Sequence, residues 1–161
     1  MHISEEQLSE RFMQALQAGG RAWRQALERR LKTCGLTSAG WSALAALAAA
    51  ERAAGEGGAG NGGRPPSQTE LAQQLRVDGA TLVATVDRLA ASGLIERTQS
   101  RQDRRVKLLV LTSKGREMEE KARAQADVLR RAALARMDPD QLRAAAAVLE
   151  QLQEALAGDG S

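Results

Sequence analysis

Two short apolar runs separated by a dense patch of charge constrain this chain more than any other stretch. Leu94-Ile95 and Leu108 to Leu111 are each long enough to serve as a strand, and the segment between them, Arg97 to Lys107, carries five cations and one carboxylate. Such a pattern pairs as a β-hairpin with its charge at the tip, because the apolar runs bury against each other's neighbours while the charged residues stay in water. A cationic projection of this length fits beside a phosphate backbone, and an arginine at its end is narrow enough to enter a minor groove. Duplex DNA is the partner this segment suits.

The residues just before the hairpin strengthen that reading. Ser67-Gln68-Thr69-Glu70 has the form of a capping box, which predicts a short helix from Gln68 to Leu75 with Leu71 and Leu75 turned inward. Asp78 then caps a second helix, Gly79 to Ser92. Its apolar residues Leu82, Val86 and Leu89 fall on one face, leaving Gly79, Ala80, Thr81, Ala84, Thr85 and Arg88 on the others. Gly93 ends it. Two short capped helices joined by the tight Arg76-Val77 turn make a helix-turn-helix, and with the hairpin directly behind it the segment 37–112 reads as a winged helix-turn-helix.

The flanks are helical. Ser4 with Gln7 forms a capping box for a first helix that runs through Leu8, Phe12, Leu16, Trp23, Leu27 and Leu31, with Gly19-Gly20 expected to bend or divide it. Thr37 caps the next helix, which carries Trp41, Leu44, Leu47 and Ala48 and fades near Arg52. The stretch 53–66 is rich in glycine, ends in Pro65-Pro66 and reads as a surface loop. Within it Gly58-Ala59-Gly60-Asn61-Gly62-Gly63 satisfies a dinucleotide-binding pattern by spacing alone, since no strand precedes it and prolines, not a helix, follow. Thr112 caps a long helix from Ser113 to about Arg136, and Asp138-Pro139 closes it and opens the last one. There Leu142, Leu149 and Leu156 are seven apart, as are Ala145 and Leu152, an apolar seam about two heptads long. A seam so short must pack on something. A winged helix needs only the middle of the chain, so 4–35 and 113–157 are read as dimerisation helices, with Leu8, Phe12, Leu16, Leu142, Leu149, Leu152 and Leu156 at the contact. The alternative is a monomer whose end helices pack on each other.

A length of 161 residues fits one domain over 1–161. Alanine and leucine dominate and aromatic residues make up only 2%, so the expected fold class is mainly α with one small hairpin. The N-terminus lacks a basic region followed by an apolar stretch, and no segment approaches the 18 or so apolar residues of a membrane helix, which leads to a cytoplasmic protein with no membrane partner. One cysteine, Cys34, and one histidine, His2, leave no disulfide, no zinc cage and no metal-dependent catalysis to propose. No convergent carboxylate site is visible, so neither an enzyme nor a cofactor is expected.

With that architecture in place, the sequence resembles the MarR family of bacterial transcription regulators, most closely its SlyA-like branch. Four stretches carry the resemblance: Ala22-Trp23-Arg24-Gln25-Ala26-Leu27-Glu28-Arg29-Arg30-Leu31; Gly35-Leu36-Thr37 with Trp41; Gln68-Thr69-Glu70-Leu71-Ala72 through Leu82-Val83 to Asp87-Arg88-Leu89; and Gly93-Leu94-Ile95 through Asp103-Arg104-Arg105 to Leu111-Thr112. The resemblance implies a homodimer whose end helices interlock and whose two winged helices straddle a pseudo-palindromic operator. It makes Arg105 the minor-groove arginine, Asp103 its neighbour's partner within the wing, and Arg101, Arg104 and Lys107 phosphate or groove contacts. Gln68, Thr69, Gly79, Ala80, Thr81, Ala84, Thr85 and Arg88 become the DNA-facing residues of the two helices. In the family's SlyA-like branch the middle of the recognition helix usually bears an arginine, and here Ala84 stands there. Bidentate readout of guanine is therefore missing from that position, and the wing and DNA shape should weigh more in site choice.

Family members of this type are commonly repressors released by a small aromatic or anionic ligand, for which Trp23, Arg30 and Trp41 are the candidate pocket residues. Cys34 lies beside Lys32 near the start of the second helix, a setting in which thiols can oxidise, but an incidental small cysteine is the simpler reading. The rival functional reading is a dimeric winged-helix adaptor for another protein, or an architectural protein that reads DNA shape. The missing arginine favours it and the wing cations oppose it.

Overall fold

A computed structural model describes residues 4–55 and 64–158. In chain order they form α1 (Glu5–Lys32), α2 (Ser38–Gly55), α3 (Gln68–Leu75), α4 (Gly79–Ala91), β1 (Ile95–Gln99), β2 (Lys107–Leu111), α5 (Ser113–Leu134) and α6 (Pro139–Gly158). The chain is mainly α with one antiparallel hairpin, in which Ile95 pairs with Leu111 and Gln99 with Lys107. This is a winged helix-turn-helix. The glycine pattern at 58–63 lies outside the described residues.

Two compact units divide the chain, Met1–Asp127 and Val128–Ser161. In the first, Leu27 and Leu31 of α1, Leu44 and Leu47 of α2, Leu71 of α3, Leu82, Val86 and Leu89 of α4, and Leu94, Ile95, Leu108, Leu109 and Leu111 of the hairpin form one core, closed by Ala122 and Ala126 of α5. The second unit holds α6 and has no buried residue on that helix. No described helix is long and apolar enough to cross a membrane.

Most of the predicted helix starts are chemically the ones observed. Ser4 and Gln7 close the first capping box, Ser67 and Glu70 the second, and Thr37 Oγ1 accepts from Gly40 N at 3.1 Å. Asp138 Oδ1 accepts from Asp140 N and Gln141 N at 2.8 and 3.1 Å, ahead of Pro139 as the first residue of α6. Two expectations need correction. Of the two outcomes expected at Gly19-Gly20, division does not occur: α1 runs as one helix of 28 residues, since two glycines cost about 2 kcal/mol in propensity, less than losing the helical hydrogen bonds on either side. Likewise α2 continues three residues past Arg52 to Gly55, carried by Ala53 and Ala54, so the helix takes in the first residues of the stretch read as a loop.

Where α5 meets the hairpin, contact is unusually close. A side-chain carbon on Gly115 would lie 1.9 Å from the carbonyl oxygen of Leu94, so only glycine fits there. Thr112 fixes the junction from three directions: its N–H donates to Leu94 O at 3.1 Å, its hydroxyl donates to Gly93 O at 2.7 Å, and the same oxygen accepts from Gly115 N at 2.9 Å.

Candidate nucleic-acid interface

The helix-turn-helix is built by its caps. Glu70 of α3 accepts from Ser67 N at 2.7 Å and is paired with Arg64, which also donates to Pro65 O at 3.3 Å. Arg64 and the Ser67 amide hold the Glu70 carboxyl below its ordinary value of 4.5. Leu109 N donates to Pro66 O at 2.9 Å, so the chain entering α3 lies along β2 and fixes the helix to the wing. Arg76 ends α3 in the left-handed region, φ 53°, the only described residue other than glycine with positive φ. That conformation makes the turn tight enough for α4 to start three residues later, and it leaves an exposed cation between the two helices.

Asp78 opens α4. It accepts from Thr81 N at 2.8 Å and from the Thr81 hydroxyl at 2.6 Å, and these two bonds, the hydroxyl's first, lower its carboxyl below the ordinary 3.8. At the other end Gly93 adopts φ +70°, its N–H donating to Ala90 O at 2.9 Å while Leu94 N reaches back to Leu89 O at 2.9 Å. That is a Schellman closure, and it turns the chain directly into β1.

Between those ends α4 buries Leu82, Thr85, Val86 and Leu89. Gly79, Ala80, Thr81, Ala84 and Arg88 are exposed, as is Thr69 on α3, while Gln68 is half-buried. Thr85 is the exception among the expected contacts. It is only 4% exposed and its hydroxyl donates to Thr81 O at 3.0 Å, so it completes the i, i+3, i+4, i+7 stripe of the core and cannot face a groove. Three exposed residues that the sequence reading passed over also belong to this surface: Arg76, Val83 and Asp87. Asp87 is paired with Arg97 of β1, which ties the middle of α4 to the wing.

The wing differs from expectation in its extent. Arg97 and Lys107 lie in the strands, so the tip is the segment 100–106 and carries Arg101, Arg104 and Arg105 with Asp103. Ser100, which the sequence reading also missed, organises it. Buried to 8% exposure, it donates its N–H to Val106 O at 3.0 Å and accepts on Oγ from Gln102 N and Asp103 N at 3.2 and 3.4 Å. Asp103 accepts from Arg105 N at 2.9 Å and lies 3.4 Å from Arg105 Nε, so its partner is Arg105 itself. The Arg105 side chain is 92% exposed, and a pair that open is weak and exchangeable for a phosphate or a base edge. Arg101, Arg104 and Lys107 are exposed, with no ion pair among the described residues.

The three residues expected to line a ligand pocket are spread over two helices. Trp23 on α1 is 39% exposed, Arg30 donates to Gln125 Oε1 at 3.5 Å, and Trp41 on α2 is half-buried. Nε1–H of Trp41 is buried and has no acceptor among the described residues. Cys34 is half-buried at the end of α1, beside the Thr33 hydroxyl at 3.9 Å. Among the described residues no group of His, Cys, Asp and Glu is arranged to hold a metal ion.

Comparison with known proteins places this geometry. The family model for the MarR family matches residues 63–107, from the chain ahead of α3 to the start of β2. Among solved structures, a transcriptional regulator designated PA3341 is 33% identical, with 91% of this chain and 98% of that one covered and a TM-score of 0.73. CouR from Rhodococcus jostii RHA1, solved bound to p-coumaroyl-CoA, is 26% identical over 92% of this chain and 91% of its own, with a TM-score of 0.69. MarR of Staphylococcus aureus, in complex with salicylate and kanamycin, shares the fold at a TM-score of 0.79 and 24% identity, with 96% of each chain covered.

Proposed function

Because this chain belongs to the MarR family and is a DNA-binding transcription regulator, we propose that it works in the cytoplasm as a homodimeric repressor, released from a pseudo-palindromic operator by a small aromatic or anionic ligand. Each subunit lays α4 in a major groove and sets the wing tip beside the adjacent minor groove, with two heads about one helical turn apart. One observation carries this reading: Arg105, its side chain 92% exposed, projects from a tip that Ser100 and Asp103 hold closed, in the hairpin that directly follows the exposed arc of α4. Because the tip backbone is already held, only the side chain of the arginine has to be ordered when it enters a groove.

Dimerisation is supported by surface chemistry at both chain ends. On α1, Leu8 is 58% and Met13 42% exposed, with Phe12 and Leu16 half-buried; on α6, Val148 is 45% and Leu156 64% exposed, with Leu142, Leu149 and Leu152 half-buried. Apolar stripes of that kind on long helices suit burial against a second copy. Ligand release is supported by the unpaired Trp41 Nε1–H, which an acceptor on a bound molecule would satisfy, and by the p-coumaroyl-CoA held by CouR. An adaptor role gains nothing from these features, since it has no use for three arginines at a wing tip.

The test is selection of genomic DNA fragments on the purified protein, followed by affinity measurement at several salt concentrations. If a dimer neutralises about six phosphates, log affinity falls with log salt at a slope of roughly −5. Arg105→Ala should weaken binding far more than Ala84→Ser. A flat salt response, or equal affinity for wild type and Arg105→Ala, refutes the reading.

A further inference from the structure

The exposed arc of α4 is chemically one-sided. Ala80, Val83, Ala84 and Asp87 occupy its outward face. The side-chain donors of α4 itself are engaged or lie on its flank. The Thr81 hydroxyl donates to Asp78 at 2.6 Å, and the buried Thr85 hydroxyl donates to Thr81 O at 3.0 Å. Arg88 lies on the flank, its Nη2 3.4 Å from Thr85 Oγ1, where it borders a cleft with Leu36, Thr37 and Ser92. Asp87, the one polar group left on the arc, is an acceptor held by Arg97. Guanine and adenine expose acceptors in the major groove that need a donor, and this arc offers none.

What the arc does offer is methyl groups at a place where exposing them is unfavourable. Val83 is 40% exposed in the middle of the helix, where a β-branched residue also loses side-chain freedom against the preceding turn. It borders a groove shared with Thr69, Gln73, Arg76 and Gly79. The small side chains of Ala80 and Ala84 on either side let the helix backbone come close to whatever Val83 touches. The exposed cation Arg76 lines the same groove as Val83, and the hairpin that follows α4 carries four more at Arg101, Arg104, Arg105 and Lys107, so the complement of this apolar patch is an apolar group on a polyanion. In a DNA major groove that group is the C5-methyl of thymine.

We propose that α4 reads thymine methyl groups, with Val83 as the specificity-determining contact and Ala80 and Ala84 as the spacers that permit close approach. The inference rests on the major-groove placement of α4 proposed above. It predicts operator half-sites defined by thymines under Val83 and by the absence of any obligatory guanine contact from the Ala80–Asp87 arc.

The experiment uses the tightest duplex recovered by selection, with each thymine replaced in turn by deoxyuridine, which removes only the methyl. Wild type and Val83→Ala are titrated against every duplex at one salt concentration. For wild type, uracil under Val83 should weaken binding about fourfold per methyl removed, while uracil under the wing changes little. Val83→Ala should bind the thymine duplex less tightly than wild type and no longer distinguish thymine from uracil at that position. Equal wild-type affinity for the thymine and uracil duplexes throughout overturns the inference and leaves the DNA-binding reading intact. Undiminished discrimination by Val83→Ala also overturns it. Failure of wild type to bind any duplex overturns both.

Discussion

Gly115→Ala is the sharpest test of how the wing is anchored. The added carbon would lie 1.9 Å from Leu94 O, 2.9 Å from Leu94 C and 3.3 Å from Leu111 Cδ2. Reaching an ordinary contact of about 3.4 Å from the carbonyl oxygen requires a shift of about 1.5 Å between the start of α5 and the start of β1. That shift strains the two bonds from Thr112, to Leu94 O at 3.1 Å and to Gly93 O at 2.7 Å, each contributing about 1 kcal/mol. Overpacking adds about 1–3 kcal/mol, and the better helix propensity of alanine returns up to about 1 kcal/mol. The net loss is about 2–4 kcal/mol, or roughly 5–15 °C in Tm for a chain of this size. Urea denaturation followed by far-UV circular dichroism, at fixed protein concentration because self-association would contribute, measures it directly. Gly79→Ala is the control: it too lies in the first turn of a helix but meets nothing within 4 Å, so it should leave stability unchanged or slightly raised. If Gly115→Ala proves as stable as Gly79→Ala, the close approach is not what holds the wing.

Two further outcomes follow from the caps. Glu28, Glu70 and Asp78 are all held below their ordinary pKa values, by Ser38, by Arg64 with Ser67, and by Thr81 respectively. A depressed folded pKa means that the stabilisation is present above the unfolded value and is lost as pH falls through the folded one, so Tm should decline below about pH 4.5. Glu28→Gln should lower Tm at neutral pH and flatten part of that decline; a decline identical to wild type would show that Glu28 has no share in it. Arg76→Gly relieves a left-handed conformation and should raise stability by about 1 kcal/mol, yet remove a cation from the DNA-facing surface and reduce the salt slope of DNA binding by about 1. A gain in stability with the slope unchanged would remove Arg76 from the interface.

The helix-turn-helix was legible because its boundaries are chemical. Ser67 with Glu70 and Asp78 with Thr81 announce both helix starts, and Gly93 announces an end. What escaped the sequence has physical reasons too. Thr85 has a hydroxyl, which reads as a surface residue, yet its position three after Leu82 and one before Val86 belongs to the buried stripe, and a helix can satisfy that hydroxyl with its own carbonyl. Glu96 to Gln99 lack any apolar alternation, because all of β1 after Ile95 is exposed and only its pairing with β2 makes it a strand. Ser100 is unremarkable among charged neighbours, and its role depends on the turn bringing Val106 back to it. Asp87 and Arg97 are ten residues apart with a turn between them, a distance at which sequence carries no pairing signal.

The pattern of ties within the first unit bears on how a ligand at the end helices could act on DNA binding. Glu28 of α1 accepts from Ser38 N at 2.9 Å and caps α2, Glu51 of α2 grips Arg116 of α5 with bonds of 2.8 and 3.2 Å, and Lys114 of α5 donates to Ser92 O at 2.9 Å at the end of α4. Arg30 and Gln125 join α1 to α5. Each tie sits at the end of an element, so a tilt of α1 or of the first half of α5 moves α4 and the wing base with it. On the reading proposed above, a head that contacts methyl groups and phosphates, without bidentate base contacts, depends on both heads docking together. With about three phosphates per head, docking one head instead of two forfeits about 2.7 powers of ten in affinity at 0.1 M salt. On that same reading a ligand would need only to favour a dimer whose head spacing misses one half-site, and a preference of about 4 kcal/mol for that state would suffice to release the operator.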